Sequence, residues 1–243
     1  MIHVAEISGG GIAVNTPVAP TGHPDTRFIL QDGTVKSHDI VGTIDYDWLD
    51  ANEYYEPFSQ TWLVDNIVEA DFGNALTSIG DGVFQRYTSL ITVTIPGSVK
   101  TIGENAFLSC NNLENVTLNE GLESIGTWAF HQCKKITSIV IPNTMTSIGE
   151  SAFGYTGLVD VNVPAQVANI GENAFAGCNG LEIVTFGGFD ETTLKSMISD
   201  DHILGWDFQD DQFNPIEKTV QIAFPGGSFT AEFHTNYTIT FGE

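Results

Sequence analysis

Two apolar periods are superposed along the middle of this chain. The short one has strand spacing: Val93-Ile95, Val116-Leu118, Ile139-Ile141, Val161-Val163 and Val184-Phe186 are apolar pairs one residue apart, with a polar residue between them in most cases. Leu90, Leu113, Ile136, Leu158 and Leu181 precede them. Alternation of this kind predicts short, half-buried strands. Pro96, Pro142 and Pro164 end three of the runs, because proline cannot donate to a ladder. The long period is carried by Ile-Gly, at 79–80, 102–103, 125–126, 148–149 and 170–171, in steps of 23, 23, 23 and 22 residues. A fixed period in this range predicts a solenoid, in which each unit buries its apolar face only by stacking on the next.

Each unit contains a Phe in the same phase: Phe84, Phe107, Phe130, Phe153 and Phe175. The next apolar residue follows six positions later, except after Phe153, where Leu158 comes at five; that one deletion explains the 22-residue step. Val99, Leu122, Met145 and Val167 stand three before each Ile of Ile-Gly. The run Ile67-Ala70-Phe72 with Leu76 fits the same template, so about six strands are expected between Ile67 and Phe186. Stacked at one strand spacing, ~4.8 Å, they make a parallel sheet with a Phe ladder inside. The repeated Gly suits either a positive φ or a close approach to the neighbouring coil. Cys110, Cys133 and Cys178 share one repeat position, which marks them as small buried thiols rather than a disulfide or metal set.

The segments LTSIGDGVF (76–84), VKTIGENAFLSC (99–110), LESIGTWAFHQC (122–133), MTSIGESAF (145–153) and VANIGENAFAGC (167–178) resemble the BspA-like, or Treponema-type, leucine-rich repeat family. The resemblance covers about half the chain. It implies a leucine-rich repeat solenoid, and with the flanks described next the expected fold is an α/β-type leucine-rich repeat solenoid of short parallel strands and compact turn or helical segments, with β-rich caps at both ends. It also implies a non-catalytic surface protein that binds host or matrix components.

The flanks lie outside the repeat, which divides the chain into 1–66, 67–186 and 187–243. In the first, Phe28-Ile29-Leu30, Asp32-Gly33 and Thr34-Val35 signal a hairpin. The stretch from Ile44 to Leu63 is rich in aromatics and acids; it reads as cover for the solenoid end, with an aromatic sugar-binding patch as the alternative. In the last, Asp190 is placed to cap a short helix presenting Leu194, Met197 and Ile198 on one face. Alternation at Val220-Ile222-Phe224, Phe229-Ala231-Phe233 and Tyr237-Ile239-Phe241 predicts a three-stranded antiparallel meander.

Charge narrows the function. Eight Lys+Arg against 31 Asp+Glu give a formal charge of −23 over 243 residues, which disfavours nucleic acid and anionic membranes as partners. No apolar run approaches the ~18 residues of a membrane span, and the opening MIHVAEISGGGIAV does not read as a signal peptide. The six His form no His-x-x-x-His pair, and His131, beside a repeat Phe, is expected at the surface. No nucleophile elbow or phosphate loop is present, so no catalytic residue and no cofactor is expected. Asp45 and Asp47, and Asp207, Asp210 and Asp211, are weak calcium candidates; both clusters lack the EF-hand order and read first as solvated loops.

The expected binding face is the polar side of the strands: Thr92, Thr94, Asn115, Thr117, Ser138, Asp160, Asn162 and Thr185. The sequence thus points to a non-catalytic recognition or adhesion module for protein or glycan surfaces, extracellular or displayed on a particle. The alternative is a structural or decoration protein of a larger assembly, such as a phage virion or fibre.

Overall fold

A computed structural model describes residues 26–45, 66–200, 202–205, 208, 214–236 and 238–242. The described repeats wind as a β-solenoid of mostly parallel strands with a mainly apolar interior, in which Thr26, Ser151 and Thr156 are the buried polar residues among those described. The alternating runs form one sheet side. Strands β1 (Thr26–Leu30), β2 (Val35–His38), β4 (Ile67–Asp71), β6 (Thr92–Ile95) and β8 (Asn115–Leu118) make a sheet in the order β2-β1-β4-β6-β8. It is antiparallel across β2-β1-β4 and parallel thereafter. On the same side further along, β11 (Asp160–Val163), β13 (Ile183–Phe186), β14 (Lys218–Phe224), β15 (Gly227–Phe233) and β16 (Ile239–Gly242) pair in that order. β13 pairs parallel with β14, and β14-β15-β16 run antiparallel.

The two sheets stop short of each other. The alternation at Ile136, Ile139 and Ile141 predicts a full strand, but residues 138–141 keep one isolated bridge, Ser138 to Asp160, and no ladder to β8. Five strands, not six, therefore line this side between Ile67 and Phe186. The core is thinner at the break: Leu118, Ile139 and Ile141 are 7, 8 and 5% exposed, whereas Val93, Ile95, Val163, Val184 and Phe186 are 0%.

The Ile-Gly phrase forms a second parallel sheet. Its strands are β3 (Gly42–Ile44), β5 (Leu76–Ile79), β7 (Thr101–Ile102), β9 (Ser124–Ile125), β10 (Ser147–Ile148) and β12 (Asn169–Ile170), in the order β12-β10-β9-β7-β5-β3 without interruption. Four of them have only two residues. A third ladder joins the turns, where each Phe N–H donates to the carbonyl one coil on: Phe84 to Ala106, Phe107 to Ala129, Phe130 to Ala152, Phe153 to Ala174 and Phe175 to Ile203, at 2.8 to 2.9 Å.

With the backbone tied on three sides, the Phe rings have one place to go. Phe84, Phe107, Phe130, Phe153 and Phe175 are fully buried and stack with centroids 5.1 to 5.7 Å apart and planes within 7° of parallel. The repeated glycines are there for close approach. A Cβ on Gly149 would fall 2.5 Å from Gly126 C and 2.6 Å from Thr127 N. The positive φ values lie elsewhere in the turn, at Gly82, Asn105, Trp128, Ser151 and Asn173, between 49° and 64°.

After β13 the chain enters α1 (Glu191–Ser199), the one helix among the described residues. The Asp190 carboxylate accepts from Thr193 N at 2.8 Å, Leu194 and Ile198 are fully buried, and Met197 packs on the core. Lys195 sits over the rings of Phe229 and Phe241 at 5.1 and 5.6 Å, which holds the helix against β15 and β16.

Candidate binding surfaces

Strand pleat sends alternate residues outward, and the in-register ladders line those residues up across coils. One outward row runs Ile29, Glu69, Thr92 and Asn115, then resumes at Ser138, Asp160, Ile183, Gln221 and Thr230. The other runs Arg27, Asp71, Thr94 and Thr117, then Asn162, Thr185, Ala223 and Ser228. All eight residues expected on the binding face lie in these rows. Asn115, Ser138, Asp160 and Asn162 are exposed; Thr92, Thr94, Thr117 and Thr185 are half-buried. The break leaves Thr92, Thr94, Asn115 and Thr117 on one sheet and Asp160, Asn162 and Thr185 on the other, with Ser138 bridged to Asp160. Most side chains in the rows are short, and two rungs are side-chain hydrogen bonds, Arg27 Nη2 to Asp71 Oδ2 at 2.9 Å and Asn115 Nδ2 to Thr92 Oγ1 at 3.5 Å.

The first sheet also carries charge. Arg27 pairs with Asp71 at 2.9 Å. Glu69 beside them has its pKa raised, by partial burial first and by the Asp71 charge second, with Arg27 opposing. A third outward row, on the Ile-Gly sheet, consists of Thr43, Ser78, Thr101, Ser124, Ser147 and Asn169 in register.

The three cysteines are free and buried. Each thiol donates to the carbonyl of the Phe one coil back: Cys110 to Phe84 at 3.0 Å, Cys133 to Phe107 at 3.1 Å and Cys178 to Phe153 at 3.2 Å. The position therefore wants a small apolar group that can also satisfy a buried carbonyl, which Thr156 does from the same place, through Phe153 O at 2.8 Å. Burial pushes the Cys133 thiol well up and Cys178 to about 11.

Among the described residues no three His, Cys, Asp or Glu stand together as a metal site. Asp45 belongs to no such group, while Asp47, Asp207, Asp210 and Asp211 lie outside the described residues, as does the aromatic run from Tyr46 to Trp62. No helix among the described residues is long and apolar enough to cross a membrane.

The turns hold a feature the sequence reading did not single out. Trp128, His131, Glu150, Ser151, Tyr155, Asn173 and Ala176 line an open hollow of about 290 Å³. His131, expected at the surface, is half-buried there, because its ring packs edge-on to Tyr155 at 5.3 Å and tilted to Trp128 at 6.2 Å. Its Nδ1 is buried without a partner at hydrogen-bond geometry. Burial lowers its pKa, opposed by the Ser151 carbonyl. The signal was in the alignment: Trp stands where the other coils have Gly82, Asn105, Ser151 and Asn173.

Residues 58–182, about half the chain, match the family model for the BspA type leucine-rich repeat region in six copies. No curated protein matches the chain. Among solved structures, a leucine-rich repeat protein from Eubacterium ventriosum is similar over 67% of this chain and 42% of its own, at 22% identity and a TM-score of 0.54. The leucine rich repeat protein TpLRR of T. pallidum is 31% identical over 51% of this chain and 60% of its own, with a TM-score of 0.49. One from Bacteroides ovatus is 26% identical over 70% of this chain and 45% of its own, with a TM-score of 0.45. The chain thus spans less than two thirds of each of these proteins.

Proposed function

The chain belongs to the BspA-type leucine-rich repeat family, and on that premise we propose that it is a non-catalytic recognition module that binds a protein or glycan surface through its strand face. Repeats of this family are in general binding repeats rather than enzymes. The observation that carries the reading is the pair of outward rows, in which Thr92, Thr94, Asn115 and Thr117, and then Asp160, Asn162 and Thr185, stand at matched positions on neighbouring strands. A regular field of short donors and acceptors suits many weak contacts better than one anchor, so affinity would come from multivalent display. We place the protein at an extracellular or particle surface, with β1-β2 and the α1 to β16 segment as the closing ends of the solenoid.

The test is binding of the full chain to arrays of extracellular-matrix proteins and glycans, with Thr94→Arg and Asn162→Arg as probes of the two sheets. Signal on the positive spots should fall by about tenfold or more, with unchanged melting. Undiminished binding by both variants would sink the strand-face reading. Recovery of the native chain only inside a symmetric particle would favour a decoration role instead.

A further inference from the structure

The hollow on the turns is independent of the strand face, sharing none of its residues. In the turn the same two places repeat. The first adopts a left-handed φ in every coil: Gly82, Asn105, Ser151 and Asn173 at 64°, 57°, 49° and 57°, and Trp128 at 56°. The second place, two residues after each repeat Phe, is left-handed as well, at Arg86, Ser109, Gln132, Tyr155 and Gly177 with φ between 56° and 66°, so what sets Trp128 apart is a large ring where the other coils carry Gly, Asn or Ser.

The neighbouring coils are shaped around this cluster. His131 lies against Gly154, where a Cβ would fall 2.7 Å from its Nδ1. Tyr155 lies against Gly177, where a Cβ would fall 2.6 Å from its Cδ1. At these places other coils carry Gln85 and Leu108, or Arg86, Ser109 and Gln132. The rings are thus bedded on glycines one coil on, and Trp128 remains 40% exposed beside them. Glu150 and Asn173 border the same hollow.

One exposed indole beside a carboxylate and an amide is the chemistry of an uncharged sugar ring: apolar C–H groups lie on the ring, and adjacent hydroxyls exchange hydrogen bonds with acceptor and donor. His131 and Tyr155 meet edge to face, so they do not offer parallel walls for a cation cage. Glu150 and a chain charge of −23 disfavour an anionic sugar. The volume, about 290 Å³, sits just below the usual range for drug-sized ligands and suits a single ring. We propose that Trp128, Glu150 and Asn173 form a binding site for one neutral pyranose residue, such as the terminal sugar of a glycan.

Saturation-transfer NMR on the full chain tests this, with methyl glycosides of glucose, galactose, mannose and N-acetylglucosamine as probes, and tetramethylammonium and glucuronate as controls. At least one neutral glycoside should bind with Kd of about 1 mM. Trp128→Asn, which installs the residue used in two other coils, should weaken it by about tenfold or more and melt no lower than the wild type. Asn162→Arg should leave it unchanged, which separates this site from the strand face. No transfer to any neutral glycoside at about 20 mM, or wild-type affinity in Trp128→Asn, would overturn the proposal. So would binding of tetramethylammonium alone.

Discussion

Gly149 has room for a hydrogen and nothing larger, because the atoms its Cβ would strike are backbone of the coil before it. Gly149→Ala should therefore cost at least ~2 kcal/mol in urea denaturation, by prising two coils apart. The sequence left close approach and positive φ both open at this glycine; only neighbouring-coil coordinates separate them. The cysteines were legible as buried packing groups from position alone, but their hydrogen bonds to Phe84, Phe107 and Phe153 were not, since a thiol donor leaves no trace in periodicity. With Cys178 at about 11, roughly one in a thousand of its thiols ionises at pH 8. Ellman's reagent should accordingly find no fast-reacting thiol in the folded chain and three after denaturation. Trp128 was hidden for a different reason. Alignment on shared residues draws attention to what repeats, and the hollow is built from what does not.

Among the elements, long alternation was readable and short or cooperative pairing was not. Val93-Ile95 and Val161-Val163 announce β6 and β11 through their own side chains. Ser124-Ile125 and Ser147-Ile148 are strands only because a like pair, polar residue then Ile, lies on either side, and two residues are too few to show a period. Residues 138–141 fail in the opposite sense: Ile139 and Ile141 alternate correctly and are buried, yet the ladder to β8 is missing. Their amides should exchange faster than those of β6 and β11 in native-state hydrogen exchange; equal protection would contradict the break. For α1, the Asp190 carboxylate has its pKa lowered, chiefly by the Thr193 N–H. Its contribution is present above the ordinary value of 3.8 and lost as pH falls through the lower folded value. Asp190→Ala should remove protection of the Thr193 amide at pH 6, and the two chains should converge in acid.

At the scale of the whole molecule, stacking sets like charges in line. Asp81, Glu104, Glu150 and Glu172 follow four of the five Ile-Gly pairs, with Thr127 after the third, so acids face each other across coils as Asp81 with Glu104 and Glu150 with Glu172, within a chain of net charge −23. The Debye length of ~10 Å at 0.1 M salt exceeds the ~4.8 Å between strands, so neighbouring acids repel across coils. Raising sodium chloride from about 20 mM to about 500 mM should raise the melting temperature. Calcium at matched ionic strength should do no more, unless the acidic segments outside the described residues bind it specifically. The two sides of the solenoid also differ mechanically. The Ile-Gly sheet runs unbroken from β3 to β12, while the strand side is parted between β8 and β11. Such a body behaves as two leaves on one spine: its curvature can change at residues 138–141 while the coil spacing along the spine is held. A partner long enough to lie across both leaves would then select a curvature as well as a set of side chains, and one confined to a single leaf would not sense the bend.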